Sequence, residues 1–131
     1  MTLDAGSLEH TVELLDRTFN EGDLDAVLSF YEDAAVAVAE PTRLVRGKDE
    51  LRTFFESAIR SRTSAKQIKT RVIEADGIAF FLSRWILTPS ESTAHREPRI
   101  FVATSVFRRQ IDGSWKALID NPFGPLVLDA E

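Results

Sequence analysis

Two carboxylates, Asp120 and Glu40, stand at the ends of runs that otherwise read as strands: Ala117-Leu118-Ile119 before the first, Ala34 to Ala39 before the second. A carboxyl group held by rigid backbone among apolar neighbours can take up or release a proton near neutral pH, which is general acid–base chemistry. Arg84 interrupts an apolar strand, Ile78 to Leu87, and by alternation shares a face with Phe80, Leu82 and Ile86. On the inner side of a sheet its guanidinium would need a carboxylate partner or would bind an anionic ligand group. Tyr31, at the end of a helical stripe, offers a hydroxyl, and Ser105 and Asn121 offer further polar contacts.

Each residue also has a plainer reading. Asp120 and Arg84 suit a buried structural ion pair, Glu40 suits a solvated position before Pro41, and Tyr31 suits a tyrosine that closes the core. His95 lies in the polar loop Pro89 to Pro98, and His10 near the start of the first helix; surface positions account for both. The register of the last hairpin decides what faces inward. A two-residue turn at Asp112-Gly113 puts Asp120 opposite Ser105 and into the interior; a three-residue loop with a bulge puts Asn121 there and sends Asp120 outward. Asp120, with Arg84 as partner, is the favoured reading.

Composition narrows the chemistry. The chain has 131 residues, enough for one domain, with 44% hydrophobic and 28% charged residues. With no cysteine and only two histidines, disulfides, thiolate nucleophiles and zinc sites have no ligands to build from, so no metal and no cofactor is expected. A net charge of −5 is a poor footing for nucleic acid. The basic group Arg60, Arg62, Lys66, Lys69 and Arg71 lacks interleaved aromatics and reads as solvated surface. The longest apolar run, Ala34 to Ala39, is too short to span a membrane, and the acidic N-terminal residues Asp4, Glu9, Glu13 and Asp16 argue against a signal peptide, so a cytoplasmic protein is expected.

The elements that must position these residues follow from periodicity. Leu8, Val12, Leu15 and Phe19 form a helical stripe with Ser7 as N-cap; Gly22-Asp23 ends that helix and caps a second, with Leu24, Val27, Leu28 and Tyr31 as its stripe. A first strand runs from Ala34 to Glu40 and a very short one lies around Leu44 and Val45. A third helix follows Gly47, with Leu51, Phe54, Phe55, Ala58 and Ile59 at core spacing. After Ser61 come strands at Gln67 to Glu74, Ile78 to Thr88, Arg99 to Arg109 and Trp115 to Asn121, joined by turns that imply antiparallel pairing. Residues Gly124 to Glu131 read as a loosely held tail. Three helices followed by a meander make an α+β fold.

The later strands are apolar on both faces, and helices confined to the first 61 residues cover only one. The other face, assigned to Trp85, Leu87, Val102 and Val106, calls for a second copy of the chain, a homodimer. The inner face, with Leu15, Phe19, Tyr31, Phe54, Phe55, Phe80, Leu82, Arg84, Phe101 and Phe107, is expected to line a pocket for a small organic ligand.

Several short motifs carry a resemblance. Asn20-Glu21-Gly22-Asp23-Leu24-Asp25, Tyr31-Glu32-Asp33-Ala34, Val45-Arg46-Gly47, Asp112-Gly113-Ser114-Trp115 and Ile119-Asp120-Asn121 resemble SnoaL-like proteins of the nuclear transport factor 2 superfamily, over nearly the whole chain. The resemblance implies a cone-shaped fold, with a curved sheet wrapped around helices over a deep pocket, and dimerisation through the outer sheet face. The superfamily includes ketosteroid isomerases, polyketide cyclases, limonene-epoxide hydrolases and scytalone dehydratases beside members that only bind or assemble, so the fold leaves the function open. In its isomerases a carboxylate abstracts a proton beside a carbonyl while a tyrosine and a protonated aspartate stabilise the oxyanion. Here the tyrosine position falls on Leu15, the aspartate position on Ser105 and the base position near Ala39 or Glu40. The usual oxyanion pair is therefore absent. Two readings follow: a cofactor-free isomerase, cyclase or hydratase using Asp120 or Glu40 with Arg84 or Asn121 orienting the substrate, or a non-catalytic binding or assembly module.

Overall fold

The computed structural model describes residues 7–90 and 97–129. Helix α1, Leu8–Asn20, starts where the Ser7 side chain accepts the His10 amide at 3.2 Å. It ends in a Schellman motif: Gly22, at φ +79°, donates to Phe19 O and Asp23 donates to Thr18 O. Asp23 then caps α2, Leu24–Ser29, through the Ala26 amide. Expected to close the second helix, Tyr31 is instead the first residue of β1, Tyr31–Glu40; α2 is already capped at Phe30. Strand β2, Arg43–Arg46, leads into α3, Gly47–Arg60. The remaining strands are β3, Ser64–Ala75, β4, Ile78–Thr88, β5, Arg99–Arg109, and β6, Trp115–Asp120.

The six strands form one sheet in the order β2-β1-β6-β5-β4-β3. Among the described residues only the β1–β6 pair is parallel. Helices and sheet together make an α+β cone. Its core joins Val12, Val27, Leu51 and Phe55 of the helices to Tyr31, Ala35 and Ala37 of β1 and to Phe81, Phe107, Trp115 and Ala117 of the later strands. Burial of these side chains drives the packing, each large one worth about 1.5–3 kcal/mol.

The inner face of β4 differs from the sequence expectation. Phe81, Ser83 and Trp85 point inward opposite Ser105, Ala103 and Phe101, whereas Phe80, Leu82, Arg84 and Ile86 lie on the outer face. Charge explains the choice: Arg84 is exposed, with Lys69 and Val102 as its cross-strand neighbours, and inside it would need a counter-charge. Trp85 and Leu87 accordingly face in, and the exposed outer surface is carried by Ile73, Phe80, Ile100, Val102 and Ile119.

The tail also differs. Residues Gly124–Asp129 form a 3₁₀ turn, and Gly124, at φ +52°, lies against the Val102 backbone so closely that a Cβ there would clash with the Val102 carbonyl oxygen.

Candidate functional site

Between the helices and the concave sheet lies a cavity of about 270 Å³. It exists because the residues facing its centre are small: Ala37 and Ala39 on β1, Ala103 and Ser105 on β5. Larger rings stand at either end, Phe81 packed edge-on to Phe107 at one and Trp85 with Phe123 at the other. Phe19, Phe54 and Phe55 close it from the helices.

Asp120 faces this cavity. The β5–β6 hairpin turns through a three-residue loop, with Gln110 and Ser114 hydrogen-bonded across it and Gly113 at φ +88°, so Arg109 pairs with Trp115. Left alone, that register would turn Asp120 outward. A second irregularity at Leu118 shifts it back: Phe107 pairs with Ala117 but Val106 with Ile119, and Asp120 meets Ser105. Its carboxylate accepts two hydrogen bonds, from the Tyr31 hydroxyl at 2.5 Å and from Ser105 Oγ at 3.1 Å. Burial raises its pKa above the usual carboxylate value, outweighing the lowering effect of the two bonds. Tyr31, 2% exposed and packed on Phe55, is itself pushed well above 10.0 by burial and then by the Asp120 charge.

A second carboxylate, Asp16, shares the cavity, and the sequence reading assigned it no role there. Its Oδ2 accepts a hydrogen bond from Gln67 Nε2 at 2.9 Å, and Gln67 Oε1 in turn accepts from Ser83 Oγ. Burial lifts the Asp16 pKa from 3.8 to about 6, against the lowering effect of the Gln67 bond, with a further rise from Asp120. Asp16, Gln67 and Ala65 also border a groove between α1 and β3, so Asp16 lies between the cavity and solvent. The signal was present in the helical stripe: Asp16 is four residues after Val12 and three before Phe19, on the edge of the buried face.

The other proposed site residues divide. Tyr31, Ser105, Phe54 and Phe107 lie on the cavity wall with Asp120. Arg84 and Phe80 are on the outer face, for the charge reason given above. Glu40 is solvated at the end of β1, 3.9 Å from Arg43, and does not reach the cavity. Phe101 is buried behind the wall between Trp85 and Phe123, with ring centroids at 5.3 and 5.2 Å. Asn121 is committed to the chain reversal after β6, its amide nitrogen donating to Thr104 Oγ1 and Gly124 O and its Oδ1 accepting from the Phe123 amide. Its own amide donates to Ser105 Oγ at 3.1 Å, which fixes that hydroxyl for Asp120. His95 lies outside the described residues.

With this geometry in place, comparison with known proteins identifies the family. Residues 12–118 match the SnoaL-like domain. The chain belongs to the SnoaL-like domain family. No curated protein matches it in sequence. Among solved structures, it is similar to a ketosteroid isomerase-like protein from Erwinia carotovora atroseptica, with 21% identity, 92% of this chain and 95% of that one covered, and a TM-score of 0.71. It is similar to a nuclear transport factor 2-like protein of unknown function from Pseudomonas putida, with 18% identity, coverages of 87% and 81%, and a TM-score of 0.74. A protein of unknown function with a cystatin-like fold from Nostoc punctiforme gives 13% identity, coverages of 92% and 90%, and a TM-score of 0.72. At these identities the likeness concerns the fold. No described helix of this SnoaL-like chain is long and apolar enough to cross a membrane.

Proposed function

We propose that this SnoaL-like protein binds a small, largely apolar organic molecule in its cavity and moves a proton on it without a cofactor. The observation that carries this reading is Asp120: a carboxylate deep in an apolar cavity, fixed by Tyr31 and Ser105, with its pKa shifted toward neutrality. Ionised, Asp120 would take a proton from the ligand, and the hydroxyls of Tyr31 and Ser105 would hold the carboxylate in place. Asp16, beside the α1–β3 groove and titrating near pH 6, would exchange that proton with solvent. Both hydroxyls are spent on Asp120, so the usual oxyanion pair of the isomerases has no counterpart among the described residues.

The test is deuterium incorporation at carbon, followed by NMR in D2O over a panel of small cyclic unsaturated ketones. Turnover of one member, reduced roughly 10²-fold or more in Asp120→Asn with the fold retained, supports the reading. Full turnover in that variant overturns the role of Asp120.

A non-catalytic role is favoured by the same spent hydroxyls, and its outcome is ligand binding without exchange. In either role we infer a homodimer through the outer sheet face. Ile73, Phe80, Val106 and Ile119 pair in sequence across β3, β4, β5 and β6, forming one apolar row on that surface. Ile100 and Val102 extend it, and the helices lie on the opposite side.

A further inference from the structure

The hydrogen-bonding inventory of the cavity defines what its ligand must bring. None of the described lining residues is Lys, Arg or His. Most side-chain donors on the wall are engaged, and the remaining ones, the second Nε2 proton of Gln67 and the Thr63 hydroxyl that shares a hydrogen bond with Ser61, are neutral. Tyr31 and Ser105 give their single hydroxyl protons to Asp120, Ser83 gives its proton to Gln67, and the Trp85 indole donates to the Pro122 carbonyl at 2.8 Å. Only Oδ2 of Asp16 has a partner, leaving Oδ1 free to accept among the described residues. The cavity thus offers acceptor capacity and negative charge, enclosed by aromatic rings.

We propose that the ligand is an organic amine, bound as its cation, with the ammonium group reaching Asp16 and Asp120 and its apolar body held by the aromatic walls. This assignment rests on the small-molecule reading above and narrows it to one chemical class.

Three physical arguments support it. A carboxylate in an apolar enclosure is stabilised by a counter-charge, and the wall provides none; an ammonium ion would supply it through charge-assisted hydrogen bonds. Phe19, Tyr31, Phe55 and Trp85 line the cavity, and a cation held against their rings would gain cation–π attraction that an anion or neutral ligand would forgo. A carboxylate or phosphate ligand would instead meet two like charges. The basic side chains nearest Asp16 do not alter this balance. Arg17 is turned to Glu13 at 3.0 Å on the exposed side of α1, and Lys66 is exposed on β3 at the outer groove.

The decisive experiment compares three ligands of one shape by calorimetry at neutral pH: tryptamine, its neutral analogue 3-ethylindole and its acidic analogue indole-3-propionate. Tryptamine is expected to bind tightest, at least roughly ten-fold over 3-ethylindole, the scale of one charge-assisted hydrogen bond. Indole-3-propionate is expected to bind weakest. In Asp16→Asn the tryptamine preference should fall about ten-fold, with the native fold of the variant checked by circular dichroism. Asp120→Asn provides the second carboxylate in the same format. If 3-ethylindole or the acid equals tryptamine, or if the preference survives both substitutions, the amine assignment is overturned and the cavity reading stands. If none of the three binds, the cavity reading falls with it.

Discussion

Replacing Asp16 by Asn should make the protein more stable at neutral pH, although it removes a hydrogen-bonded polar side chain. The Asp16 pKa is 3.8 in the unfolded reference and about 6 in the fold. Between these values the native state keeps a proton that the unfolded chain has lost, so stability falls as pH rises. The favourable neutral form is present in full below pH 3.8 and is lost as pH passes through about 6. The two values differ by about 2 units, and at 1.36 kcal/mol per unit the loss is about 3 kcal/mol. Asparagine has the same shape, its carbonyl accepts the Gln67 hydrogen bond, and it does not ionise. The variant should therefore match the parent near pH 4 and exceed it by about 2–3 kcal/mol at pH 8. Urea unfolding at a series of pH values and fixed protomer concentration reads the difference directly. In an Asp120→Asn background the gain should shrink, because the Asp120 charge contributes to the rise. Parallel stability profiles for parent and variant would mean that Asp16 titrates as an exposed carboxylate, and the account of a buried carboxylate on the cavity wall would fail.

Tyr31→Phe removes a hydrogen bond that lowers the Asp120 pKa, so the Asp120 carboxyl resonance in ¹³C NMR should titrate at higher pH than in the parent; an unchanged midpoint would refute the contact. Phe80→Glu places a charge in the apolar row on the outer face and should convert a dimer to the 14.7 kDa protomer in sedimentation, whereas Arg17→Glu, on the exposed side of α1, should leave the mass unchanged. Gly124→Ala drives a methyl group into the Val102 carbonyl, and a loss of about 1–3 kcal/mol in thermal or urea unfolding is expected; full stability would show that the terminal turn is not docked as described.

The fold was legible because its signals are local. Ser7 and Asp23 cap helices, Gly22 and Gly113 adopt positive φ at turns, and the stripe from Leu51 to Ile59 repeats at the helical period. The site was harder to read because it depends on which face of each strand is inside, a choice that local periodicity leaves open. In β4 both faces are apolar, and grouping Arg84 with the aromatic Phe80 made the wrong face look functional. Charge decides it: a lone guanidinium is better placed in water, and the alternative face carries Ser83, a small group that Gln67 can satisfy.

Asp120 shows the converse. It faces the cavity as the two-residue turn required, yet the turn has three residues; the extra residue at Leu118 cancels the shift. Two irregularities in one hairpin preserve the inward direction of a single carboxylate while leaving Ile119 on the outer face. Sheet pairing alone would give a straighter ladder, so the bulge is understood through what it positions: Asp120 against Tyr31 and Ser105, and Asn121 where it fixes the Ser105 hydroxyl. That places the geometric constraint on the end of β6, the same point at which the chain turns to deliver Pro122 and Phe123 to the cavity rim.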